Sequence, residues 1–228
     1  MIHLFPRWVW FGAFLTTFSA GSLNIVAIIT FSGGSVSHLT GTLSRLGQNI
    51  ATLNFENFST FFGMLSFFFI GSVISGFFIR SEALRLRRRY STVLLAESGI
   101  LVISYFLLIT HNQAGEFLAS LACGLQNAMI SNFSGSIIRT THMSGIFTDL
   151  GAAIGRALRT HQPQTPQIMV HLVLLTGFVS GSVVGTLLYN GFGLDAFWLP
   201  ISITAICGIL YGIHALKKSR DMHLPEEI

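Results

Sequence analysis

The sequence predicts an all-α integral membrane protein: about six transmembrane helices plus two short polar helices, re-entrant or half-spanning, arranged as an internal, inverted repeat. Three observations predict it. Apolar runs long enough to cross a bilayer (roughly 20 residues) recur along the 228-residue chain, and they lack the alternation of barrel strands. Only 10% of residues are charged, against about 25% in an ordinary soluble domain, and the mean hydropathy is +0.65. A polar motif also occurs twice. Ser37, His38, Leu39, Thr40 and Gly41, then Leu46 and Gly47, recur as Thr141, His142, Met143, Ser144 and Gly145, then Leu150 and Gly151, 104 positions on. Gly21 and Asn24 recur as Gly124 and Asn127 at 103, and Gly71 and Ser72 recur as Gly181 and Ser182 at 110.

Taken in order, residues 8–31 form the first apolar segment, expected to be retained as a span rather than cleaved as a signal peptide, and 32–34 break it. In 36–53, Leu39, Leu43, Leu46, Ile50 and Leu53 make one helical stripe, while His38, Thr42, Arg45, Gln48 and Asn49 lie off it. Lipid tolerates that polar face poorly, so it should meet protein or water. The third segment, 59–79, is Phe-rich and carries Gly71, Ser72 and Gly76 at close-packing spacings. Arg80, Arg85, Arg87, Arg88 and Arg89 follow, then an apolar segment at 91–110 containing Glu97. The second half repeats the order at 116–133, 137–158, 168–190 and 196–215, with Gly177, Gly181 and Gly185 as a small-residue ridge in the third of these. One membrane domain therefore covers 1–228, with repeats at about 8–110 and 116–216 and a cytoplasmic tail at 217–228.

The basic residues choose a topology. If all eight segments crossed, the Arg-rich stretch at 80–89 and the C-terminal Lys217, Lys218 and Arg220 would fall on opposite faces, against the positive-inside rule. If 36–53 and 137–158 enter and leave on one side, six spans remain and both termini are cytoplasmic. Of 13 Lys and Arg, only Arg45 is then outside. Each half has an odd number of spans, so the halves are inverted, as in many transporters. The net charge of +4 does not point to nucleic acid, because the basic residues sit at segment ends without interleaved aromatics. Cys123 and Cys207 lie in apolar segments without metal-ligand spacing, so no metal and no cofactor is expected.

The Ser-His-Leu-Thr-Gly run at 37–41, Gly124 to Ala128, Arg139 to Gly145 and Thr148 to Leu150 together resemble the YoaK-like bacterial membrane proteins (domain of unknown function 1275). The resemblance extends over nearly the whole chain. It departs at Ser22 and Leu23, where an acidic residue often falls. It implies a bacterial inner membrane and six or seven spans, and it implies no activity.

The candidate residues follow from the repeat. His38 and His142 can exchange a proton or hydrogen-bond a solute, or each can simply hold its interrupted segment in place. Thr40 and Ser144 add hydroxyls, and Gly41 and Gly145 allow close helix approach, as do Gly71, Gly181 and Gly185. Arg45 and Asp149 occupy equivalent positions; they pair with each other, or Arg45 reaches outward while Asp149 meets Arg139 or Arg156. Glu97 is either a buried proton carrier or a headgroup-level counter-charge to Arg87–Arg89. Asn24 and Asn127 satisfy helix interruptions or touch solute. His111, His161, His171 and His214 are expected at the interface. These features point to a small-solute transporter or channel, with the bilayer and an unknown solute as partners and room for a homo-oligomer. A non-transporting scaffold is the alternative. An intramembrane hydrolase using Ser37 or Ser144 is less supported, since neighbours on a helix diverge and no nucleophile elbow occurs.

Overall fold

The computed structural model describes residues 7–31, 36–79, 88–134, 138–161 and 165–221. Among them the regular elements are α1 (Arg7–Thr30), α2 (Leu39–Ala51), α3 (Phe55–Phe78), α4 (Arg88–Ile109), α5 (Ala114–Ser134), α6 (Met143–Thr160), α7 (Thr165–Phe192), a 3-10 turn (Gly193–Phe197) and α8 (Trp198–Asp221). α1, α3, α4 and the stretch holding α7 and α8 are long and apolar enough to cross a membrane. α5 falls short of that apolarity because it carries Gln126, Asn127 and Asn132; half of its positions, Gln126 included, are buried by neighbouring helices rather than offered to lipid. The basic residues at 80–87 lie outside the described residues.

α2 has 13 residues and rises about 20 Å, too little for a hydrocarbon layer about 30 Å thick. α6 has 18 residues, about 27 Å, and starts at Met143 rather than at 137. At the end of α5 the Ser134 hydroxyl accepts the Ile138 N–H at 2.8 Å. At the other end of the chain, α8 continues through Lys217, Lys218 and Arg220, part of the segment expected to form a tail.

Glycines set the frame. Gly177 lies against Phe14, Gly181 against the Phe18 carbonyl and Gly185 against Ser22, so α1 and α7 run parallel, and Gly21 against the Phe178 carbonyl brings their backbones into contact. Gly63 meets Phe117 and Gly71 meets Leu121 and Leu125 in the same order, making α3 and α5 a second parallel pair, with Gly124 against the Phe68 carbonyl. A hydroxyl crosses each seam: Ser182 donates to the Gly21 carbonyl and Ser72 to the Gly124 carbonyl, each at 3.2 Å. In a bilayer, lipid tails are as apolar as leucine, so close van der Waals approach and such bonds hold helices together. α4 and α8 run antiparallel, joined by Ser91 to Gly208 at 2.6 Å and Ser98 to Ile201 at 3.1 Å. α2 lies on α3, and α6 on α7.

The buried side chains form two apolar clusters. One gathers Val26, Met64, Leu101 and Phe197 at the level where α1 finishes and α3 begins. The other gathers Val9, Leu94, Met129 and Leu174 where α1 begins and α3 finishes. Leu39, at the start of α2, packs on the first, and Met143, at the start of α6, on the second.

The seams give the first prediction. Gly181→Val or Gly124→Val forces a side chain into a facing backbone that cannot rotate away, and should cost at least the roughly 1–3 kcal/mol of ordinary overpacking. Gly151→Ala, with nothing within 4 Å, should be neutral or up to about 1 kcal/mol stabilising. Thermal melts in detergent check both.

Candidate polar cavity

Each short helix begins with its motif histidine. His38 is the N-cap of α2 at φ −93° and ψ 66°, and His142 that of α6 at φ −93° and ψ 59°. The first helical bonds run from Thr42 N–H to the His38 carbonyl and from Ile146 N–H to the His142 carbonyl. Histidine is a poor capping residue, and neither side chain caps its helix. The first-turn N–H groups of both helices therefore have no partner within their own helix or from their cap.

The spacing of the motif has a reason that the sequence reading missed. Gly41 and Gly145 stand three residues past their histidines, and a Cβ on either would strike that histidine's ring. The glycines make room for the imidazole to fold back over the first turn. They serve their own histidine more directly than they serve a neighbouring helix.

The two histidines line one cavity of about 330 Å³. Ser37, His38, Leu39 and Thr40 come from the start of α2; Arg139, Thr141, His142, Met143 and Ser144 come from the approach to α6; α3 adds Phe68 and Ser72, and α5 adds Asn127 and Ser131. Because Leu39 and Phe68 belong to one apolar cluster and Met143 to the other, the cavity sits between them. Its side walls come from α3 and α5, not from their counterparts α7 and α1.

The guanidinium of Arg139 lies 3.0 Å from His142 Nδ1. A guanidinium only donates, so Nδ1 accepts and the ring proton resides on Nε2. Arg139 entered the sequence reading only as a partner for Asp149. The signal that could have found it was its place three residues ahead of His142, just before the repeated motif.

The remaining candidates separate. Asn24 is buried in α1 and accepts the Ser37 hydroxyl at 2.6 Å, holding the chain before α2 against α1. Thr140 reaches Asn127 at 3.5 Å. Both pairs span 13 positions, which places the extra residue of the second motif between Thr140 and His142. With its proton committed to Asn24, Ser37 is not poised as a nucleophile. Arg45 is exposed, its guanidinium carbon 6.0 Å from the centre of the Phe61 ring. Asp149 lies 3.9 Å from His171 Nε2, a partner none of the expected pairings included, and Arg156 bonds Gln167 instead. His171 is buried on α7, while His111, His161 and His214 are exposed. Glu97 is buried in α4, near Cys123 of α5 and Cys207 of α8, with Oε2 unpartnered among the described residues. Arg89 donates to the Phe78 carbonyl, and Arg87 and the Arg88 side chain lie outside the described residues.

One family description matches, Protein of unknown function (DUF1275), over residues 12–210. No curated protein and no solved structure matches the chain.

The two Asn–hydroxyl pairs differ in length and should differ in strength. A double-mutant cycle of Asn24→Ala with Ser37→Ala should give a coupling of about 1 kcal/mol, whereas Asn127→Ala with Thr140→Ala, at the outer limit of a hydrogen bond, should give close to zero. Equal couplings in thermal melts would contradict this reading.

Proposed function

Because this chain belongs to the DUF1275 family of proteins of unknown function, we propose its function from geometry alone: a small-solute transporter or channel whose passage runs through the polar cavity. One observation carries the reading. Two short helices on different parts of the chain begin at the same 330 Å³ space, each with a histidine and hydroxyls facing it. Backbone may be interrupted at membrane depth only where protein or water satisfies it, and transporters place their sites at such interruptions.

The finer architecture belongs to the same reading. Six spans, with α2 and α6 half-spanning from opposite faces, make the halves an inverted repeat. The packing supports this. α1 on α7 corresponds to α5 on α3, α2 on α3 to α6 on α7, and α4 pairs with its own counterpart α8. Direction discriminates as well. With eight crossings α4 and α8 would point the same way; with six they oppose, and their seryl bonds are those of an antiparallel pair. The positive-inside rule then sets both termini in the cytoplasm of a bacterial cell, with the protein in the inner membrane.

The test is uptake into proteoliposomes. A solute panel should include one that the protein moves saturably, and His38→Ala combined with His142→Ala should lower that flux at least tenfold, about 1.4 kcal/mol of barrier. Undiminished flux in a correctly folded double variant would remove the histidines from the path.

A further inference from the structure

The cavity has a charge character that goes beyond passage of an unspecified solute. Among the described lining residues Arg139 carries the one permanent charge, and none is acidic. The adjoining segments 32–35 and 135–137 contain no ionisable residue. Asp149, the acid of α6, stands about two turns beyond His142 and faces His171 on α7.

The polar atoms lean the same way. Arg139 fixes His142 with its proton on Nε2, so the ring offers a donor. Thr40, Thr141 and Ser144 supply hydroxyls. Two helix starts, uncapped by side chains, add N–H groups and the positive ends of their dipoles, each about half an elementary charge. The Arg139 charge and the two dipole ends disfavour a cation here. At about 30 Å³ per water, 330 Å³ holds an ion of a few heavy atoms with part of its hydration.

We infer, resting on the transport reading above, that the solute is a small oxyanion, held by the Arg139 guanidinium in the cavity where α2 and α6 begin. A guanidinium fork matches two oxygens of a carboxylate or an inorganic oxyanion, and the histidine that fixes it keeps it aimed. Arg139 is then the residue that selects for charge.

The experiment uses the full chain, both in detergent and in proteoliposomes. The oxyanion probes are acetate, nitrate, phosphate and sulfate; urea, glycerol and methylammonium are the neutral and cationic controls. At least one oxyanion should raise the melting temperature and move saturably. Arg139→Gln should weaken its half-saturation at least tenfold, as expected for losing a charge-assisted hydrogen bond. Arg139→Lys, which keeps the charge and loses the fork, should fall between, and it covers the case in which Arg139→Gln does not fold. Saturable movement of a neutral or cationic probe, unchanged in either Arg139 variant, would overturn the anion inference while leaving the transport reading intact. Oxyanion stabilisation lost in Arg139→Gln, with no flux of any probe, would keep the anion site and remove transport. No oxyanion effect on melting or flux would end the inference.

Discussion

A helix that starts inside a bilayer leaves several N–H groups with no intrahelical partner, and hydrocarbon offers none. That constraint is the one the proposed half-spanning placement of α2 and α6 has to meet. α2 and α6 are too short or too polar to behave as ordinary spans, and both begin at residues whose side chains do not cap them. A polar space at their starts satisfies the constraint, and the structure has one, shared by both.

The long helices form a frame around the short ones, and α3 and α5 of that frame wall the cavity. Two parallel pairs, α1 with α7 and α3 with α5, touch backbone to backbone at Gly21, Gly181, Gly71 and Gly124. Contacts this close leave little freedom for either pair to slide, which makes them suited to a rigid frame. The short helices are attached differently: α2 rests on α3 and α6 on α7, and Ser37 is tied to α1 through Asn24.

Much of this was legible in the sequence because it is periodic. Apolar length gave the long helices and the leucine stripe gave α2 its amphipathic character, whereas the short helices start at Leu39 and Met143 rather than at 36 and 137. What was not legible depends on partners brought from elsewhere in the chain. Nothing in periodicity says that Asp149 meets His171, that Glu97 is buried, or that Ser134 at the end of α5 accepts the Ile138 N–H. The role of Gly41 and Gly145 was hidden for another reason. A glycine in an apolar helix usually reports a neighbouring helix, whereas here it reports a ring on its own first turn.

The central claim is that the starts of α2 and α6 face each other across one space. Its most direct test is cross-linking in membranes, in a background where Cys123 and Cys207 are replaced. Thr40→Cys and Ser144→Cys would be treated with a bifunctional thiol reagent shorter than a helix diameter, about 10 Å. The account predicts an intramolecular cross-link that a competing small thiol reagent, reaching both positions through the same water-filled space, blocks. Two cysteines that never cross-link, each modified only from its own opposite face of the membrane, would contradict it.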